Sequence, residues 1–145
     1  MKKEITVFTP IYNRAYCIEM LYESLKKQTY KNFEWIVVDD GSTDNIAQIF
    51  DKWVREEKEF NIIYVKVSNR GKMPAFNKGV QLSNAPFFFI VDSDDYLTSD
   101  ALEYIATWSK AVQDDDSFVG VSGLRKIKTV EAEYGLYRCN EFRKT

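Results

Sequence analysis

Apolar residues fall along the chain in short unbroken runs separated by stretches of helical spacing, and that alternation predicts the architecture. Ile5 to Thr9, Phe33 to Val38, Ile62 to Val67 and Phe87 to Val91 are runs of strand length, and Phe33 to Val38 shows little in–out alternation. Runs of that kind suit strands covered on both faces. Between the first two, Ile18, Leu21, Tyr22 and Leu25 recur at the spacing of a helix stripe, and Ile46, Ile49, Phe50 and Trp53 do so after the second. Asn13 stands where it can cap the first helix, and Ser42 or Thr43 where they can cap the second. Pro10 is expected to end the first strand, and Lys31-Asn32 to turn the chain. Pro74 suits the first turn of a short helix reaching about Leu82. A further helix is predicted from about Asp100, with Leu102, Ile105 and Ala106 facing inward. Phe118 to Val121, with Leu124 to Lys128, reads as additional strand. Strand and helix in alternation imply an α/β fold: a mostly parallel, open, Rossmann-like sheet flanked by helices.

Composition narrows the function. With 145 residues the chain can bury roughly 70% of its unfolded surface, enough for a real core. The net charge of -2 and the lack of a basic block argue against a nucleic-acid partner. No histidine is present, which removes Ser-His-Asp and Cys-His catalysis and histidine-containing zinc sites. Cys17 and Cys139 form no spaced motif, so a reducing, cytoplasmic setting fits. Lys2 and Lys3 lead into polar sequence rather than a signal-peptide run, and Phe87 to Val91 is far too short to span a bilayer.

The candidate chemistry lies where strands should end. Val37-Val38-Asp39-Asp40-Gly41-Ser42 and Ile90-Val91-Asp92-Ser93-Asp94-Asp95 each carry acid directly after an apolar run. In an open parallel sheet ligands bind outside the carboxyl ends of the strands. Asp92 and Asp94, two apart, point the same way in extended chain with Ser93 opposite, and can converge on a hard cation, Mg²⁺ or Mn²⁺, carrying ligand phosphates. Asp39 is the candidate acceptor for a ribose or base edge, whereas Asp40 fits turn chemistry. Asn69-Arg70-Gly71-Lys72 follows the third strand and brings positive charge to the same rim. Asp114-Asp115-Asp116 reads as a solvated turn.

Four segments, in this order, carry a family resemblance: Thr6-Val7-Phe8-Thr9-Pro10-Ile11-Tyr12-Asn13; Val38 to Asp44; Asn69-Arg70-Gly71-Lys72 with Ala75 and Asn77-Lys78-Gly79; and Asp92-Ser93-Asp94-Asp95. Together they resemble the nucleotide-sugar-binding half of inverting family-two glycosyltransferases of the GT-A fold, over about residues 5 to 128. The resemblance implies that Thr9 and Pro10 line a nucleotide pocket, with Tyr12 beside the base. It implies that Asp39 bonds the base, usually uracil, and that Arg70 or Lys72 lies near base or diphosphate. Asp92 would hold the ribose, Asp94 the bridging metal, and Asp95 would support that ligand or face the acceptor. The implied partners are a UDP-sugar and an acceptor glycan or lipid-linked sugar in cell-surface polysaccharide synthesis, at the cytoplasmic face of a membrane.

The family's general base comes from an acidic pair well downstream, and no convincing equivalent is found; Glu131 and Glu133 lie in an aperiodic tail. The expectation is therefore a donor-binding domain over 1–128 and a tail, 129–145, leading to an acceptor half not included. Two rivals share parts of the pattern. A magnesium phosphohydrolase also places Asp-x-Asp after an apolar strand but leaves the first two motifs unexplained, and a catalytically silent nucleotide-binding module fits a donor half alone. A nicotinamide-dependent enzyme needs a Gly-rich turn where Pro10-Ile11-Tyr12-Asn13 stands.

Overall fold

Four parallel strands, in the order β3-β2-β1-β4, form the sheet of the computed structural model, which describes residues 2–121. They are β1 (Ile5–Ile11), β2 (Phe33–Asp39), β3 (Asn61–Lys66) and β4 (Phe87–Ile90), joined through α1 (Ile18–Lys26), α2 (Ile46–Glu56) and α3 (Lys72–Leu82). α4 (Ala101–Val112) follows β4. The chain divides into two compact units, 1–103 and 104–145, with the whole sheet in the first. In the second, Tyr104 and Trp108 pair their rings along α4, and Asp115 to Phe118 forms a hydrogen-bonded turn.

The unbroken apolar runs have their predicted cause: both faces of the central strands are covered. On one face, Phe8, Ile36 and Val38 pack with Ala75 and Phe76 of α3. Gly79 is required there, because a Cβ on it would stand 2.2 Å from the Phe8 ring. On the other face an aromatic layer joins Trp35 of β2 to Tyr22 of α1 and to Phe50 and Trp53 of α2. The helix stripes read from the sequence face inward, with Ile18, Leu21, Tyr22 and Leu25 buried in α1 and Ile46, Phe50 and Trp53 in α2, while Ile49 is half-buried at the edge of its stripe. Leu102, Ile105 and Ala106 of α4 are buried as well.

Four local expectations are corrected. Pro10 lies inside β1, paired with Val38, rather than ending it. Phe8 turns its carbonyl to β4, accepting from Val91, so two residues on the missing N–H of Pro10 faces the β4 side. The β4 ladder has already stopped at Phe8–Ile90, and no ladder bond is lost. Asn13 does not cap α1, which starts at Ile18 with no side-chain cap. Neither Ser42 nor Thr43 caps α2; the Ile46 N–H instead lies 3.3 Å from Asp44 Oδ1. Phe118 to Val121 is not strand: the Phe118 N–H bonds back to Asp115, and Val119 is fully exposed. Leu124 to Lys128, Glu131, Glu133 and Cys139 lie outside the described residues.

Candidate active site at the carboxyl edge of the sheet

Because all four strands are parallel, the ends of β1, β2, β3 and β4 open on one edge. The chain runs from β1 outward through β2 to β3, then crosses to the far side of β1 to make β4. The crevice where strand order reverses, between β1 and β4, is where such sheets bind ligands. Tyr12 leaves β1 there, 47% exposed, and Asp92 to Asp95 leave β4.

The β4 cluster is the open one. The Asp95 N–H bonds the Asp92 carbonyl at 3.0 Å, closing a turn that buries Ser93 and leaves Asp94 exposed. Asp92, half-buried, accepts from Lys72 Nζ at 3.2 Å, which ties the first residue of α3 to the end of β4. Arg70 is exposed beside it in sequence. Arg14, in the loop after β1, is raised above its ordinary value mainly by its hydrogen bond to Tyr16, with Asp94 a smaller contributor. Burial pushes the Cys17 thiol up, against the thiolate form.

The β2 cluster is closed. Asp39 is 0% exposed; its Oδ1 accepts from the Ser42 N–H at 2.8 Å and its Oδ2 from the Tyr64 hydroxyl at 2.5 Å. Burial first, then the bond to Asp39, pushes the Tyr64 phenol up, in keeping with its place as donor to that side chain. Asp40, 7% exposed, accepts the N–H groups of Arg70 and Gly71 at 2.8 and 2.9 Å, anchoring the loop after β3. Gly41 makes the close approach possible: its φ is +78°, and a Cβ would stand 2.9 Å from the Asn69 nitrogen. Asn13, at φ 51°, gives its N–H to Ser42 Oγ and takes that of Thr43 on Oδ1, each at 2.8 Å.

The sequence-predicted residues thus separate into two layers. Tyr12, Arg70, Lys72, Asp92 and Asp94 present side chains at the rim, with Asp95 in the same turn. Thr9 does not: it is 0% exposed, with its hydroxyl accepting from the Trp35 indole at 3.0 Å. Asp39 likewise sits beneath the rim, with both oxygens engaged, while Pro10 is half-buried within the last part of β1, before Ile11. Sequence reading missed Tyr64, Ser42 and the tie made by Asn13. Strand parity was the available signal, since Tyr64 pairs with Val37, two residues before Asp39 on the same face of the sheet.

The donor set suits a hard divalent ion held largely by its ligand. Among the described residues, no three Asp, Glu, Cys or His side chains form a metal cage. Mg²⁺ characteristically takes one or two carboxylates together with substrate phosphates and water, and an exposed carboxylate such as Asp94 meets that need.

Parallel order and an acid-lined carboxyl edge place the chain among the Rossmann-like α/β folds, a class in which ligands bind outside the carboxyl ends of the strands. Residues 6–142 match the family described as Glycosyl transferase family 2, and the chain belongs to it. It is 31% identical over 137 residues to glycosyltransferase GlyG of Streptococcus pneumoniae, covering 94% of this chain and 44% of that protein. The fragment 1-349 of S. aureus TarS, solved in complex with UDP-GlcNAc, superposes with a TM-score of 0.69 at 32% identity, over 76% of this chain and 32% of that one. Mannosyltransferase PcManGT of Pyrobaculum calidifontis, in complex with GDP-Man and Mn²⁺, gives 0.67 at 26% identity, over 79% of this chain and 34% of that one. The fold is the GT-A fold expected from the four motifs, and the phosphohydrolase reading has no support. The chain spans less than half the length of these relatives. Among the described residues no helix is long and apolar enough to cross a membrane.

Proposed function

We propose that this chain is the donor-binding part of an inverting glycosyltransferase and seats a nucleotide-diphosphate sugar, UDP-linked, at the carboxyl edge of its sheet. One observation carries the reading: the exposed Asp94 and the Asp92–Lys72 pair stand at the end of β4, beside β1 at the reversal of strand order. The UDP-GlcNAc bound to TarS and the GDP-Man and Mn²⁺ bound to PcManGT support a nucleotide-sugar ligand and a divalent ion.

The roles follow from chemistry and position. Tyr12 offers an exposed ring face to the base. Asp92 accepts from a ribose hydroxyl, exchanging Lys72 for the ligand. Lys72 and Arg70 then offset charge on the diphosphate. Asp94, supported by Asp95, would hold Mg²⁺ or Mn²⁺, which when bound neutralises charge developing on the leaving diphosphate. Thr9, Pro10 and Asp39 act from below, fixing the strand ends that carry the rim. In transfer with inversion an acceptor hydroxyl attacks the anomeric carbon opposite the departing nucleoside diphosphate, and a carboxylate base takes its proton. No described rim residue is assigned that base. One relative, 29% identical, is named a poly(ribitol-phosphate) beta-glucosyltransferase, which favours a polymer hydroxyl as acceptor. The synthesis of a surface polymer would take place on the cytoplasmic side.

Calorimetry with UDP, GDP and dTDP, each with and without Mn²⁺, tests the proposal. Manganese-dependent binding with UDP preferred is expected; the absence of binding by all three would refute it.

A further inference from the structure

We propose that Tyr64, on the edge strand β3, is a positioning residue for the nucleoside end of the donor and acts through Asp39, Ser42 and Asn13. This rests on the donor reading above, which puts the base beside Tyr12.

The connection is continuous. Tyr64 donates its hydroxyl to Asp39 Oδ2 at 2.5 Å, and the Ser42 N–H donates to Asp39 Oδ1 at 2.8 Å. Ser42 Oγ then accepts the Asn13 N–H at 2.8 Å, and Asn13 Oδ1 returns the contact by accepting the Thr43 N–H. Asn13 is the neighbour of Tyr12. An aromatic side chain on β3 thereby sets the backbone of the loop that follows β1, two strands away.

Three features make this a device for holding a loop rather than incidental packing. The carboxylate at its centre is 0% exposed, so water cannot replace a lost donor. The Tyr64 ring is fixed independently, stacked on Phe50 of α2 at 4.8 Å and 13°. Asn13 is held at φ 51°, a conformation uncommon for a residue other than glycine, where two hydrogen bonds from the 42–43 turn keep it. The residues assigned to the diphosphate, Arg70 and Lys72, stand on a separate loop that Asp40 anchors through the Arg70 and Gly71 N–H groups, with Tyr64 bonded to Asp39 instead.

The test titrates UDP and inorganic pyrophosphate, each with Mn²⁺, into the wild type, Tyr64→Phe, Asp39→Asn and the double variant. Tyr64→Phe should weaken UDP by about fivefold or more, the scale of one lost buried hydrogen bond, and leave pyrophosphate within about twofold. Adding Tyr64→Phe to Asp39→Asn should cost less than the sum of the two single losses. Ser42→Ala keeps the peptide N–H on Asp39 but removes the acceptor for Asn13; it should show the same UDP-selective loss, and it carries the test if Tyr64→Phe fails to fold. Unchanged UDP affinity in a folded Tyr64→Phe, equal losses for both ligands, or fully additive costs would each overturn the assignment while leaving the donor reading intact. A wild type that binds neither ligand would overturn both.

Discussion

Two acidic strand ends, nearly alike as strings, have opposite physical characters. After β2, Asp39 and Asp40 are closed off and bonded to backbone N–H groups and a phenol. After β4, Asp94 is exposed and Asp92 meets a flexible, 67% exposed lysine. The first pair builds the rim and the second faces outward from it. Acid at the end of a parallel strand is therefore not one signal. What decides its role is whether neighbouring segments close over it with donors, as Ser42, Tyr64 and the 70–71 backbone do, or leave it at the surface, as at Asp94.

The largest effect expected from breaking this contrast is on stability. Asp39→Ala leaves the Ser42 N–H and the Tyr64 hydroxyl buried without an acceptor, and should lower the unfolding free energy by about 2–5 kcal/mol in urea titration. A loss below about 1 kcal/mol would mean that water reaches the site. Gly41→Ala comes next: its positive φ and the crowding by Asn69 should cost about 1–3 kcal/mol.

The open cluster should behave the other way. Asp94→Asn should leave stability within about 0.5 kcal/mol, yet weaken manganese-dependent UDP binding by about tenfold or more, read by calorimetry beside thermal unfolding. Lys72→Gln should change least. Its exposed pair with Asp92 is worth about 0–1 kcal/mol to the fold, and UDP affinity should fall a few-fold, less so as salt is raised. A Lys72→Gln protein as damaged as Asp39→Ala would erase the distinction between the two strand ends.

Much of the frame was legible in the chain. Strand and helix positions followed from run length and stripe spacing, because a sheet covered on both faces leaves no other use for such runs. The rim positions of Lys72, Asp92 and Asp94 were legible because strand ends converge in a parallel sheet, whereas Tyr12 entered through the family resemblance. What was not legible depends on register and on loop closure. Pro10 reads as a strand stop unless one knows that β4 ends two residues earlier on that side. Asn13 reads as a helix cap until the segment from Ser42 to Asp44 is seen to engage its N–H and its side-chain oxygen. Asp39 reads as a ligand because its two donors, Ser42 N–H and Tyr64 hydroxyl, come from different elements. Phe118 to Val121 has strand composition, yet Asp115 draws the chain into a turn before it can extend.

The central claim is one of place: the donor lies over the ends of β1 and β4. Amide chemical-shift mapping of the isotopically labelled chain with UDP and Mg²⁺ tests it most directly. The account predicts shifts concentrated at Tyr12, Asn13, Arg70 to Lys72 and Asp92 to Asp95, and smaller ones at the opposite edge around Ile5, Phe33 and Phe87. Shifts clustered at that opposite edge, or none at saturating nucleotide, would contradict it.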